Sequence, residues 1–186
     1  MWQPRYPRVY WPNCASSGSP WPATIPPVSG RPVRIEFRTT VPDGAGGEAH
    51  AATFMRQRRM VIEAALMADP NEFARIFVHE LFHFAWLRLG NARRRSYERL
   101  VAGEIRRGAK GELGWSAERR KKKLASRDRV QRTRKWREYC CESFCDTAAW
   151  LYAGIPPHEE FTLARPARDA RRKWFTNAGV DGGVAI

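Results

Sequence analysis

The sequence predicts an α+β domain in which a small mixed β-sheet packs on two long helices. Three observations support this prediction. Apolar and polar residues alternate over residues 33–38, which is typical of a half-buried strand. A long apolar stretch follows the helix-start signal Asp69-Pro70. A second apolar stretch, rich in cysteine and aromatic residues, begins near Tyr139. At 186 residues, the chain is long enough to form one domain with its own core.

The N-terminal part is predicted to be a Pro- and Trp-rich arm over residues 1–32, followed by a single domain over residues 33–186. Proline at this density opposes regular helix and favours an extended chain. Because tryptophan is costly to leave without a contact partner, we expect Trp2, Trp11 and Trp21 to hold the arm against the domain. Residues 42–47 are predicted to form a turn. A second strand is predicted near residues 59–64, although the helix-forming residues 56–67 leave a helix as the alternative.

The first long helix carries a metal-binding pattern. It is predicted to begin at an Asp69 cap, with Glu72 completing a capping box, and to end near Gly90. Its centre reads His79-Glu80-x-x-His83. Histidines four residues apart lie on one face of a helix, where two neutral imidazoles can bind one zinc ion. Glu80 lies beside them and could take a proton from water at the metal, so it is the candidate catalytic base.

The segment between the two long helices is strongly basic. The chain has a formal charge of +14, and nearly the whole excess lies in residues 93–137, with 18 Lys and Arg against 5 acidic residues. Helices are predicted over residues 93–107 and over residues 116–125, the second capped by Ser116. This block suits an anionic partner such as nucleic acid or an acidic peptide, and a solvated helical surface is the alternative. The densest candidate polyanion contacts are Arg119, Arg120, Lys121, Lys122 and Lys123.

The second long helix is predicted over residues 129–152, and it supplies acidic partners for the histidines. Glu142 and Asp146 are four residues apart and therefore share a face. Catalytic zinc sites usually have three protein ligands and one open position, so Glu142 is the candidate third ligand. Asp146 is the candidate acceptor for the free ring N–H of a ligand histidine. A solvated acidic face is the alternative. A last helix is predicted over residues 166–175, before a Gly-rich end that we expect to fray.

These two motifs together resemble those of the gluzincin metallopeptidases, the thermolysin-like clan. Gly154-Ile155-Pro156 after the second helix adds a similarity to soluble Ste24/HtpX-like members. The resemblance covers residues 60–90 and 136–158. It implies a zincin-like fold, one zinc ion bound by His79, His83 and Glu142, and hydrolysis of peptide bonds in a peptide or protein substrate. It also implies that the strand before the first helix is an edge strand that pairs with extended substrate. The long basic interval departs from the family's pattern.

Other interpretations of the same residues remain open. SprT-like DNA-associated proteases share a His-Glu-x-x-His helix, but they take a histidine soon after it as third ligand, and here the next histidine is His158. The chain could instead be a basic nucleic-acid-binding, regulatory or toxin-related protein on a zincin-like scaffold with a structural zinc. Glu80 favours catalysis, because a structural site needs no base. Candidate donors to the oxyanion formed during hydrolysis are Tyr139, Tyr152 and His158.

The cysteines and the apolar windows bear on the compartment. The 4 Cys lack the spacing of a zinc ribbon and are too few for a disulfide framework. No secretory signal is apparent, and no apolar window reaches the length that spans a bilayer. We therefore expect a protein without a membrane span in the reducing cytoplasm.

Overall fold

Short strands precede a series of helices in the computed structural model, which describes residues 9–11, 21–22, 24–42 and 48–186. The strands are β1 (Val9–Trp11), β2 (Val28–Ser29), β3 (Val33–Arg38), β4 (Val41–Pro42), β5 (Glu48–Ala49), β6 (Ala51–Phe54), β7 (Arg59–Glu63) and β8 (Val184–Ala185). The helices are α1 (Pro70–Arg88), α2 (Gly90–Arg106), α3 (Trp115–Lys122), α4 (Ser126–Val130), α5 (Arg134–Tyr152) and α6 (Arg165–Asn177). This mixture confirms the predicted α+β class.

The main sheet has four strands in the order β1-β3-β7-β6. β3 and β7 run parallel, whereas β1 and β6 run antiparallel to their neighbours. Val33, Ile35, Met60 and Ile62 are fully buried in the core that the sheet shares with α1. The strands predicted at residues 33–38 and 59–64 are confirmed. However, β7 lies inside the sheet, and the terminal strands are β1 and β6. The sequence did not predict β6, because its residues Ala-Ala-Thr-Phe show no alternating pattern and only pairing with β7 defines it.

The two long helices pack chiefly against each other. α1 begins as predicted, because the Asp69 side chain accepts hydrogen bonds at 3.1 Å from the backbone N–H groups of Asn71 and Glu72. Glu72 does not complete the capping box, since its carboxylate pairs with Arg75 instead. Within the part of the chain that the structure describes, no helix is long and apolar enough to cross a membrane.

The stretch predicted as one helix over residues 129–152 is two helices. α4 ends at Val130, and Arg132 then adopts a left-handed conformation with φ 50. A left-handed residue cannot continue a right-handed helix. Thr133 starts α5 by accepting a hydrogen bond from the Trp136 backbone N–H. The preceding helix, α3, begins at Trp115 and not at a Ser116 cap.

The glycine-rich end is ordered, which corrects the expected fraying. β8 pairs in parallel with β2 from the arm, and the side chains of Val184 and Ile186 are buried. Gly30 permits this pairing, because a Cβ on it would lie 2.4 Å from the Ile186 carbonyl oxygen. The described parts of the arm pack against the domain as expected, with the Trp21 ring 4.7 Å from the Phe77 ring. Trp2 and the Trp11 side chain lie outside the described residues.

A fully buried ionic cluster joins the helices behind α5. The Arg171 guanidinium of α6 is 2.7 Å from Glu104 of α2 and 2.9 Å from Glu112, which precedes α3. It also donates to the Thr147 hydroxyl of α5 at 3.3 Å. The Tyr139 hydroxyl donates to Glu112 at 2.7 Å. Each buried charge therefore has an opposite partner, as burial of charge requires.

Candidate metal centre

α1 and α5 bring together the three residues predicted as metal ligands. His79, His83 and Glu142 each offer one ligand atom, and these atoms lie within 4.8 Å of one another. His79 Nε2 is 3.3 Å from Glu142 Oε2, and the two imidazole centroids are 5.0 Å apart. Two ligands that bind zinc tetrahedrally at about 2.0–2.1 Å are themselves about 3.3 Å apart. The spacing of His79 and Glu142 therefore fits a shared ion, and two imidazoles with one carboxylate are a donor set that suits zinc.

Asp146 holds the other ring nitrogen of His79. Its Oδ1 is 2.7 Å from His79 Nδ1, and its Oδ2 accepts a hydrogen bond from the Ala117 backbone N–H at 3.0 Å. Burial lowers the pKa of His79, but Asp146 and Glu142 outweigh it and raise that pKa well above its ordinary value. Gly114 lies directly against this carboxylate, since a Cβ there would be 2.3 Å from Asp146 Cγ. Asp146 thereby fixes which nitrogen of His79 faces Glu142.

Two residues of α3 hold Glu142 in place. The Ser116 hydroxyl donates to Glu142 Oε2 at 2.7 Å, and Arg120 Nη2 is 3.0 Å from Glu142 Oε1. Burial raises the pKa of Glu142, but the hydrogen bond from His79 and the charges of His83 and Arg120 hold it well below its usual range. The carboxylate is therefore ionised, as a metal ligand must be. Ser116 is therefore not the predicted helix cap, and Arg120 is not part of the predicted polyanion surface.

Cys141 is the partner of His83, which the sequence analysis missed. Its Sγ lies 3.4 Å from His83 Nδ1, and Cys145 follows one turn later on α5. The hydrogen bond from Cys145 lowers the pKa of Cys141 to about 6, against the effect of burial and with the help of His83. Burial lowers the pKa of His83, but Cys141 outweighs it and raises that pKa to about 9. Because the sulfur contacts Nδ1, Nε2 is the ring nitrogen of His83 that remains for a metal ion.

Glu80 is oriented by β6, one of the two terminal strands of the sheet. It is partly exposed, and the Thr53 hydroxyl of β6 lies 2.5 Å from its Oε2 and 3.3 Å from its carbonyl oxygen. The hydroxyl hydrogen serves one acceptor at a time, and the shorter contact is to the carboxylate. One carboxylate oxygen of Glu80 is thus held by the Thr53 hydroxyl. Thr53 could not be found from the sequence, because it lies on the strand that the sequence did not predict.

The two tyrosines predicted as oxyanion donors do not reach this centre. Each has one O–H to donate, and each uses it elsewhere. Tyr139 donates to the buried Glu112 at 2.7 Å. Tyr152 donates to Asp181, near the C-terminal strand.

The third predicted oxyanion donor, His158, belongs to a separate cluster at the start of α1. Its Nε2 is 3.4 Å from Glu72 Oε2, and its Nδ1 accepts a hydrogen bond from the Glu160 backbone. Glu72 precedes His79 by seven residues, about 10 Å along the helix. Glu72, His158 and Glu160 could together hold an ion. However, Arg75 forms ion pairs with both carboxylates, so a second cation there would be repelled.

The predicted polyanion cluster over residues 119–123 is divided by the fold. Arg120 turns inward to Glu142. Lys121 also turns inward, since its Nζ is 3.1 Å from Glu112 and donates to the carbonyl oxygens of Ala109 and Gly111. The remaining members of the cluster are Arg119, Lys122 and Lys123, and these are the ones that line the outer surface of α3.

Comparison of the chain with protein-family models, curated proteins and solved structures gave no significant match. The interpretation of the centre therefore depends on the geometry of its own residues.

Proposed function

We propose that the protein is a zinc-dependent metallopeptidase of the gluzincin type, with a zincin-like arrangement of sheet and helices. One observation carries the proposal: His79, His83 and Glu142 offer ligand atoms within 4.8 Å of one another, and Glu80 lies next in sequence to the first of them. A purely structural zinc site has no need of a carboxylate base, so the oriented and partly exposed Glu80 favours catalysis over a structural role.

Each residue around the centre has a role in the proposed reaction. His79, His83 and Glu142 hold one Zn²⁺, which when bound polarises the scissile carbonyl and lowers the pKa of water to about 7. Glu80 takes a proton from the attacking water and passes it to the leaving amine. Acid–base help of this kind is typically worth about 10²–10⁴-fold in rate. The Thr53 hydroxyl keeps the Glu80 carboxylate aimed at the reacting water.

The sheet supports an extended peptide or protein as the substrate. β6 is one of the two terminal strands of the main sheet, and Thr53 links it to Glu80. Extended peptides commonly bind by adding a strand to a sheet edge through main-chain hydrogen bonds. A peptide bound along β6 would lie beside Glu80. This assigns the predicted role of the substrate-binding strand to β6 and not to β7.

Zinc content and peptide cleavage, measured on three proteins, test the proposal. We expect the wild-type protein and Glu80→Gln to hold one zinc each and His83→Ala to hold almost none, by elemental analysis. Wild-type protein should cleave members of a peptide library, and Glu80→Gln should lower the rate at least about 100-fold, since it keeps the shape of the carboxylate and removes the base. Glu138→Gln, on the outer part of α5, is the matched control and should change neither quantity.

Two results would contradict the proposal. Equal zinc in wild-type protein and His83→Ala would show that the ligand set is wrong. The structural-zinc alternative would be the better interpretation if zinc-loaded wild-type protein cleaved no peptide. The same holds if Glu80→Gln were as active as wild-type protein.

A further inference from the structure

The outer face of α3 carries Trp115, an aromatic side chain that is largely exposed to solvent. Trp115 is 59% exposed, more than any other large aromatic side chain among the described residues. Its backbone is nevertheless fixed, because its N–H donates to the buried Glu160 carboxylate at 2.8 Å. A large ring held on a fixed backbone loses little conformational entropy when a ligand stacks on it.

Positive charge surrounds this ring. Arg119, Lys122 and Lys123 line the same open concavity as Trp115, with a volume of about 410 Å³. The spacing explains the shared face, since residues three, four, seven and eight positions apart lie on one side of a helix. Glu118 also lines the concavity, but Lys122 neutralises it at 3.0 Å. Arg119 and Lys123 form no ion pair with any residue in the described ranges, so their charges are available to a ligand.

We propose that this surface, formed by Trp115, Arg119, Lys122 and Lys123, binds single-stranded nucleic acid. The unpaired cations Arg119 and Lys123 match a phosphate backbone, and the tryptophan face matches an unstacked base. A duplex offers the phosphates but hides the faces of its bases in the stack, so it cannot use Trp115. An acidic peptide offers the charge without planar bases. The combination of exposed ring and flanking cations therefore favours a single strand over both.

The ring and the cations contribute differently, and the salt dependence of binding separates them. Each phosphate neutralised on a single strand adds about −0.7 to the slope of log affinity against log salt. Stacking on an aromatic side chain contributes to affinity without adding to that slope. Removing the ring should therefore lower affinity at constant slope, whereas removing the cations should reduce both.

The experiment measures binding of a fluorescently labelled oligo(dT) and of a duplex of equal length by anisotropy at several salt concentrations. We expect wild-type protein to prefer oligo(dT). Trp115→Ala should weaken oligo(dT) binding about 5- to 100-fold with the slope unchanged, and Trp115→Phe should retain most of the affinity. Arg119→Gln with Lys123→Gln should make the slope about 1.4 less steep. The control pair Arg165→Gln with Lys173→Gln removes equal charge from exposed positions on α6 and should leave the preference for oligo(dT) intact.

Several results would overturn the proposal. Trp115→Ala binding oligo(dT) as tightly as wild type would show that no base stacks there. Equal affinity of wild-type protein for oligo(dT) and for the duplex would show that the surface binds polyanions through charge alone. Binding of an acidic peptide with the same dependence on Trp115 would assign the surface to a protein partner. Circular dichroism of each variant shows that a loss of binding is not a loss of fold.

Discussion

Replacing Asp146 by asparagine tests the candidate metal centre at a deeply buried polar contact. The two carboxylate oxygens accept two hydrogen bonds, one from His79 Nδ1 at 2.7 Å and one from the Ala117 backbone N–H at 3.0 Å. An amide side chain has one acceptor oxygen and one donor NH₂ group. The side chain of the Asp146→Asn variant cannot accept both bonds, so either His79 or Ala117 faces a second donor.

Two separate losses follow from this substitution. A buried donor left without an acceptor costs about 1–3 kcal/mol. Loss of a carboxylate behind a ligand histidine typically weakens metal binding about 10- to 100-fold, which corresponds to about 1.4–2.7 kcal/mol. We therefore expect Asp146→Asn to bind zinc about 10- to 100-fold more weakly. We also expect a Tm lower by several degrees in excess chelator, because the protein contact is lost as well.

The measurements are a zinc titration in competition with a chromogenic chelator and thermal unfolding with and without EDTA. Glu138→Gln is the matched control, because it makes the same carboxylate-to-amide change on α5 at a side chain that is 44% exposed. It should alter neither quantity by a measurable amount. A lower Tm with unchanged zinc affinity would show that Asp146 only anchors the start of α3, and the proposed role in orienting His79 would be refuted.

Two further substitutions test the neighbours of the centre. Gly114→Ala should lower both Tm and zinc affinity, because the added Cβ would lie 2.3 Å from Asp146 Cγ. Gly103→Ala is the control, because its Cβ would meet only the end of the Arg107 side chain. Thermal unfolding and zinc titration should show Gly103→Ala to be neutral or stabilising. Wild-type zinc affinity in Gly114→Ala would contradict this reasoning. Thr53→Val should lower peptide turnover without loss of zinc, because Glu80 loses its hydroxyl partner. Thr53→Ser keeps a hydroxyl and should retain the turnover of wild-type protein. A Thr53→Ser variant as slow as Thr53→Val would exclude the hydroxyl as the cause.

The parts of the fold that the sequence predicted are those set by local signals. The Asp69 cap and Pro70 place the start of α1 at the observed residue, and the alternation over residues 33–38 gives β3. Four-residue spacing predicted that His79 and His83 share a face, and that Glu142 and Asp146 do so too. These relations follow from helix geometry alone, so they could be read without knowing how the helices pack.

What the sequence could not give depends on which segments meet. β6 is defined by pairing with β7, the next strand in the chain, and β8 by pairing with β2, which is distant in sequence. Neither β6 nor β8 carries an alternating pattern of its own. How α3 packs on α5 decides which of its basic side chains contacts Glu142 and which are exposed to solvent. Arg119 and Arg120 are adjacent and chemically identical, but only Arg120 reaches the carboxylate. Cys141 likewise becomes a partner of His83 only once the two helices pack.

The buried Arg171 affects how the molecule opens. Because it pairs with Glu104 on α2 and with Glu112 before α3, withdrawing α6 would leave both buried carboxylates without this cation. Breaking a buried ion pair in this way costs about 3–5 kcal/mol. We therefore expect the opening of α6 to be coupled to that of α2, which hydrogen exchange of their amides would report. Glu142 lies on α5, which contacts this buried ionic cluster through Thr147 and Tyr139 and packs on α1 along its other side, so the carboxylate that faces the histidines is held from two directions.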